Sequence, residues 1–247
     1  MDNFASLPKV IHLCWFSGQD FPDGIRSCID SWKECFPDYT IKVWNKEMAL
    51  SINIPFATEA ISVKKWAFAA DVVRCYALYT EGGIYLDSDV LVKQKFDYLI
   101  EDYSVALFNE SHFYALDDSS KIVAPKTYMG IQAACMIAHP GHPLIKKFLD
   151  YYKGHHFIRW DGSYSQTVSP AIFGEMAATE GYVYEDRKQI FSDVILYPSS
   201  VIAPSLEAPI TEECVAVHMC SHSWDRKSTN IVRRVFAYIR FVFKKKY

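Results

Sequence analysis

Two aspartates separated by one residue, Asp87 and Asp89, follow the apolar run Ile84-Tyr85-Leu86. Carboxylates at i and i+2 where a strand gives out can both turn toward one cation, because the intervening Ser88 need not stay in the ladder. Such a pair suits a hard divalent ion and leaves positions open for phosphate oxygens. In α/β sheets ligands sit beyond the carboxyl ends of strands, which is where this spacing puts both acids. Upstream, Asp71 and Arg74 are three residues apart and share one face of a helix. Arg74 can meet a phosphate or a sugar-contacting carboxylate and Asp71 can accept from sugar hydroxyls; alternatively the two form an intrahelical ion pair. A lone D-x-D is a weak signal, since a solvated turn has the same spelling.

These groups need elements to hold them. Val10 to Trp15 is a short apolar run stopped by Ser17-Gly18 and reads as a buried first strand. Ile25, Cys28, Ile29 and Trp32 have helical spacing up to Cys35, and Pro37-Asp38 separates them from a strand over Tyr39 to Trp44, making a β-α-β unit. Lys64 to Thr80 lacks Pro and Gly and repeats apolar residues at helical intervals, so a helix is predicted that ends at Glu81-Gly82-Gly83. An apolar strand interrupted by acids follows over Ile84 to Val92. Val105 to Phe108, Ala133 to Ala138, Val194 to Tyr197 and Val215 to His218 are further strand candidates, with helices over Leu144 to Tyr152 and Ser169 to Thr179. The alternation predicts an α/β fold with a mainly parallel sheet.

The 247 residues are 50% hydrophobic with 15% aromatics, enough for a large core, which excludes a disordered chain or a disulfide-stapled miniature. The formal charge of −3 is no signature of nucleic-acid binding. Its distribution is uneven: residues 225–247 carry eight basic side chains against Asp225, a local +7, which leaves −10 on the rest. Seven scattered cysteines without a CxxC pair read as free thiols of a reducing compartment. Neither a leader pattern nor an apolar stretch of about 18 residues occurs, so a cytoplasmic location is expected.

The chain resembles glycosyltransferase family 32, the DXD sugar-transferase group that is also similar to the catalytic domains of the large clostridial glucosylating toxins. The resemblance lies in Pro8 to Gly18, in Ser31-Trp32 with Pro37-Asp38-Tyr39, and above all in Ala70-Asp71-Val72-Val73-Arg74 running to Gly82-Gly83-Ile84-Tyr85-Leu86-Asp87-Ser88-Asp89-Val90. His139-Pro140-Gly141-His142-Pro143 and His218 to Trp224 look like later family elements. The resemblance implies a GT-A type, Rossmann-like fold over residues 1–224 and a retaining, metal-dependent transferase that uses a nucleotide-activated sugar. Carried over by position, Cys14 and Trp15 line the base pocket, Asp71 and Arg74 hold the donor sugar, and Asp87, Ser88 and Asp89 bracket Mn²⁺ or Mg²⁺ and the diphosphate. Gln132 stands where the family has an asparagine and is expected toward the sugar. Thr167-Val168-Ser169-Pro170 departs from the family's threonine followed by Gly-Pro. UDP-linked galactose, glucose or their N-acetyl forms are the first-choice donors, GDP-mannose the second, and the acceptor a glycan or lipid-linked hydroxyl.

Near the C-terminus His218 or His222 is expected to complete the metal shell, with Trp224 lying on the phosphates as a lid. Beyond it, Ile231, Val235, Tyr238, Ile239 and Val242 form one helical stripe while the basic residues lie elsewhere. Residues 225–247 therefore read as a basic amphipathic helix that binds an anionic membrane surface, here the inner face of the plasma membrane, through 230–247. Two rivals remain from the sequence. A phosphohydrolase with an aspartate nucleophile would place its D-x-D near the first strand, and a non-catalytic carbohydrate-binding protein of the same fold would have no need of both acids.

Overall fold

The computed structural model describes residues 6–115, 127–203 and 211–219. His222, Trp224 and the amphipathic segment 225–247 lie outside the described residues, and so does His112 as a side chain.

The β-α-β opening is present as β1 (Val10–Cys14), α1 (Asp23–Cys35) and β2 (Thr40–Trp44). Two short helices, α2 (Lys46–Ser51) and α3 (Pro55–Ser62), precede the long α4 (Trp66–Thr80). The predicted start at Lys64 is two residues early, because Lys64 takes φ +59° in the turn between α3 and α4. After α4 come β3 (Gly83–Leu86), β4 (Val90–Val92), β5 (Val105–Ala115), β6 (Thr127–Ile131), β7 (Cys135–Ala138), α5 (Pro143–Lys153), α6 (Ser169–Ala178), β8 (Gln189–Phe191), β9 (Val194–Tyr197), β10 (Ile202–Ala203) and β11 (Ala216–His218).

The large sheet has the order β2-β1-β3-β7-β5-β9-β8, with β6 paired to β5. β2, β1 and β3 are parallel to one another, as are β5 and β9, while β7 is antiparallel to both β3 and β5. The expected α/β class and mainly parallel sheet are thus what the chain forms. One expectation needs correction: the run from Ile84 to Val92 is two strands in different sheets. The chain turns at Asp87, where the Val90 amide donates to the Asp87 carbonyl at 3.0 Å, and β4 joins a small sheet of order β10-β11-β4.

The central strands β3, β7 and β9 are buried on both faces, which explains why they read as apolar runs and not as alternations, while the edge strands β2 and β8 carry exposed residues. Ile11, Ile84, Ile137, Ala106 and Ile195 form a row across the sheet on one face. That face packs against Ile25, Ile29 and Trp32 of α1 and the small sheet. Tyr85, Met136, Val105, Leu107 and Leu196 point the other way, into a layer made by α2 to α6 with Phe56, Val72, Phe148 and Phe173. Among the described residues no helix is long and apolar enough to cross a membrane.

Candidate active site

β3 delivers Asp87 to the carboxyl edge of the sheet, and its starting point is held closely. Gly82 and Gly83 have φ of +68° and +95°, and a Cβ on Gly83 would lie 2.5 Å from the Val10 carbonyl oxygen, so glycine alone lets β3 begin this close to β1. The buried His12 ring ties the two together. Trp44 Nε1 donates to His12 Nδ1 at 3.1 Å, so Nε2 carries the proton and donates to the Gly82 carbonyl at 2.8 Å. Burial pushes the His12 pKa down, which keeps this neutral form in place.

At the other end of β3, Leu86 is fully buried while Asp87, Ser88 and Asp89 are half-buried in the turn. Tyr85 Oη donates to Asp87 Oδ1 at 2.8 Å, and Arg74 Nη2 lies 3.4 Å from the same oxygen. Both contacts fall on Oδ1, so the carboxylate is anchored by one oxygen and can offer the other. The Asp89 carbonyl accepts from the Met219 amide at 3.0 Å, and Asp89 Oδ1 is 3.4 Å from His218 Nε2. This backbone link, with His218 paired to Val90 across β11 and β4, brings the C-terminal strand to the D-x-D turn. Ligand atoms of Asp87, Asp89 and His218 lie within 4.8 Å of one another, and they are the only such group of three among the described residues. Two carboxylate oxygens and a neutral imidazole suit Mn²⁺ and, less well, Mg²⁺; the residues present fit a divalent cation.

Asp71 and Arg74 project from α4 into the same region but do not form a surface pair. Arg74 is 3% and Asp71 6% exposed. Arg74 Nη2 is 2.9 Å from Asp71 Oδ1, Nη1 donates to the Ala133 carbonyl, and the guanidinium lies 4.6 Å over the Tyr85 ring. The expectation that Arg74 meets the donor directly is therefore narrowed: its Nη groups serve Asp71, Asp87 and a backbone carbonyl, so it acts as the cation that lets two acids stand together. Ser169 Oγ donates to Asp71 Oδ1 at 2.9 Å, placing the start of α6 against α4. Burial pushes Asp71 up to about 6 against the opposing pull of Arg74 and Ser169, and Asp87 raises it further. Because this folded value lies above the ordinary one, the stability that the Asp71 proton contributes is fully present below about pH 4 and is lost as the pH rises through about 6, above which the anion prevails. Activity that needs Asp71 as an acceptor should fall on the acid side with a midpoint near pH 6. A profile of kcat/KM for a nucleotide sugar that stays flat from about pH 5 to 8 would count against this role.

Gln132 is fully buried, and neither its Oε1 nor its Nε2 has a hydrogen-bond partner among the described residues. It opens the stretch between β6 and β7, where Ala133 receives Arg74 and the Ala134 carbonyl receives the Asp87 amide at 2.9 Å. The predicted strand over Ala133 to Ala138 is shortened to start at Cys135 because these two carbonyls turn to the site. Arg74 Nε, Tyr152 Oη and Thr167 Oγ1 are also buried without partners. Tyr152 lies near enough to Asp71 that, after burial, this acid is the next cause raising its phenol above the usual range. An unmet buried polar group costs about 1–3 kcal/mol, so several in one region mark a place shaped for a polar ligand. Sequence reasoning missed Tyr152, Thr167 and Ser169. For the last two a signal existed in the departure at 167–170.

Cys14 ends β1 at the same edge, with its thiol near Arg74 and Tyr85; burial pushes it up to about 12, so it stays a neutral thiol. Trp15 follows, half-buried, its indole donating to the Gln19 carbonyl at 2.6 Å and its ring 5.0 Å from Phe21. Asp71, Arg74, Asp87 and Gln132 are joined through direct contacts and the adjoining carbonyls. Asp89 and His218 adjoin them across the turn, and Cys14 stands beside Arg74. Among the described residues Trp15 meets Gln19 and Phe21 and not the acids.

Residues 22–106 match the family described as glycosyltransferase sugar-binding region containing DXD motif. The resemblance to the DXD sugar transferases is thereby shown. The D-x-D of this region is Asp87-Ser88-Asp89. Inositol phosphoceramide mannosyltransferase 3 of Schizosaccharomyces pombe is 35% identical over 103 residues, 39% of this chain and 28% of that protein. Mannosyl phosphorylinositol ceramide synthase SUR1 of Saccharomyces cerevisiae is 29% identical over 102 residues, 38% of this chain and 25% of that protein. The match thus spans about a quarter of the length of these relatives. Among solved structures, PaToxG glycosyltransferase superposes with TM-score 0.49 at 19% identity, covering 71% of this chain and 70% of that one.

Proposed function

We propose that the chain is a glycosyltransferase that moves a hexosyl group from a nucleoside diphosphate to a hydroxyl of a glycan or lipid-linked acceptor, with retention of configuration. The single observation that carries this reading is the convergence of Asp87, Asp89 and His218 beside the buried Asp71–Arg74 pair, the four residues other than His218 lying in the segment 22–106 that matches a DXD sugar-binding region. In the reaction the acceptor oxygen bonds to the anomeric carbon as the bond from that carbon to the phosphate oxygen breaks. The electron pair leaves with the diphosphate, and the acceptor proton passes to a departing phosphate oxygen. A divalent cation held by Asp87, Asp89 and His218 would supply Lewis-acid stabilisation of the leaving diphosphate. Asp71 accepts from the donor sugar, Arg74 holds the acids in place, and Gln132, Tyr152 and Thr167 satisfy sugar hydroxyls.

A second donor reading is favoured by one finding. The relatives just described are named for mannosyl transfer, which supports a mannosyl donor over the UDP-hexoses first expected from sequence. The deciding experiment incubates the chain with UDP-Gal, UDP-Glc, their N-acetyl forms and GDP-Man, with Mn²⁺ or with EDTA, and scores release of UDP or GDP. Release from one donor that EDTA abolishes is expected; release untouched by chelation refutes the cation role. The proposed peripheral placement at the inner face of the plasma membrane rests on the sequence pattern of 230–247.

The unpartnered atoms give a further expected result. Gln132→Met puts an apolar side chain of similar length in a fully buried place, so the ligand-free variant should be more stable by about 1–3 kcal/mol while binding the nucleotide sugar more weakly. Urea unfolding without donor, compared with donor titration calorimetry, measures both. A destabilised variant would mean that Gln132 has a structural role.

A further inference from the structure

We propose that the hairpin over residues 157–165 carries the acceptor subsite, with Trp160 as the platform on which a saccharide ring of the acceptor stacks. The proposal rests on the transferase reading above.

The topology brings this hairpin to the correct end of the sheet. β7 pairs antiparallel with β3, Leu86 opposite Cys135 and Gly83 opposite Ala138, so the chain leaves β7 at the edge away from Asp87. α5 then returns toward the acids. Tyr152 in its last turn packs on Phe56 at 5.0 Å, and the hairpin follows directly. Phe157 at the hairpin base lies 4.9 Å from Phe68, three residues before Asp71 on α4, and the chain leaving the hairpin leads through Thr167 to Ser169, which donates to Asp71. The hairpin therefore stands on the rim of the donor region.

It is also stiff. Ile158 pairs with Tyr164, the Arg159 amide donates to the Ser163 carbonyl at 2.8 Å, and the Gly162 amide donates to the Arg159 carbonyl at 2.9 Å. The Glu59 carboxylate accepts from the Phe157 and Ile158 amides at 2.8 and 2.9 Å and pairs with His156 Nδ1 at 2.6 Å. On this pinned base Trp160 is 100% exposed. An isolated surface apolar residue needs no explanation, but Trp160 borders a cleft of about 470 Å³ lined by Tyr151, His155, His156, Arg159 and Ser165. A flat aromatic face beside several hydrogen-bonding side chains matches a pyranose, which has an apolar C–H face and a rim of hydroxyls. The hairpin backbone beneath the ring is preformed, so binding need not order the chain. A lipid surface would ask for an apolar cluster; the other exposed large hydrophobic residues described, Val43, Tyr98, Val183 and Ile190, sit on other elements.

The test is a titration of the full chain, ¹⁵N-labelled at tryptophan indoles, with mannobiose and with lactose at millimolar concentration. Trp160→Phe assigns the resonance. At least one disaccharide should shift the Trp160 signal, and Trp160→Ala should weaken its calorimetric binding at least about tenfold, whereas Tyr98→Ala should not. The proposal is overturned if neither sugar moves the signal, or if vesicles of phosphatidylglycerol and phosphatidylcholine broaden it and sugars do not. Nucleotide-sugar hydrolysis by the unaltered chain separates the two readings. Hydrolysis with an unmoved Trp160 sinks only the subsite; a moved Trp160 without hydrolysis of any donor sinks the transferase reading and leaves a saccharide site.

Discussion

Asp89→Asn should lower sugar transfer by roughly 10²–10³-fold while leaving the fold intact. The amide is the same size as the carboxylate, the backbone link from the Met219 amide to the residue 89 carbonyl is untouched, and the amide keeps an oxygen to face His218 Nε2, 3.4 Å from Asp89 Oδ1. The substitution removes a negative charge from the group formed with Asp87 and His218. A divalent cation loses an anionic ligand, and its hold weakens with it. Part of the loss should therefore be recovered by raising Mn²⁺, a response that a misfolded variant would not give. The measurement is nucleoside diphosphate release at two metal concentrations, beside a thermal unfolding curve. Turnover within about threefold of the unaltered chain would show that the D-x-D turn is not where the chemistry takes place.

The second large effect is on stability. Arg74→Met should cost about 3–5 kcal/mol, because it strips the cation from beside the buried Asp71 carboxylate, which the fold has drawn out of water, and the half-buried Asp87 next to it. Arg74 is 3% exposed, contacts Asp71 at 2.9 Å and Asp87 at 3.4 Å, and lies on the Tyr85 ring. Methionine fills the volume, so packing loss does not account for a fall of that size. Arg74 itself is held charged: burial opposes its charge, but Asp87, Tyr85 and Asp71 together outweigh it. Destabilisation should ease as the pH drops, because Asp71, freed of the downward pull of Arg74, takes up a proton more readily and the repulsion it shares with Asp87 fades. Urea unfolding at pH 8 and pH 6 checks the sign. A cost below about 1 kcal/mol at both would mean that water reaches the pair and screens it.

The cavity-like cost of leaving Gln132, Tyr152 and Thr167 without partners fits the same picture. A site that binds hydroxyls must hold polar groups in place before the ligand comes, and the ligand-free fold carries that cost. Residue 132 is singled out in the sequence only by its position; its full burial is visible only in the fold.

Local pattern accounts for much of what was read correctly. Val10–Cys14 and Val194–Tyr197 are mostly apolar runs bounded by turn residues, and α4 is a periodic segment without Pro or Gly. Such elements follow from short-range propensity and from burial of both sheet faces. The short helices α2 and α3 went unread although their starts are spelled out, by Asn45 accepting from the Met48 amide and by Pro55 in the first turn. They are too brief for periodicity to register.

By itself the sequence determined the D-x-D turn, the Asp71–Arg74 spacing and the Gly82-Gly83 stop, because each depends on residues within a few positions. Only the tertiary structure decided that Asp87 and Asp89 face a histidine 129 residues after the second of them, that Arg74 turns inward to both acids, and that Ser169 reaches Asp71 across 98 positions. Those contacts arise from strand order and helix packing. No local preference encodes them, since their free energy comes from apolar layers buried elsewhere in the chain.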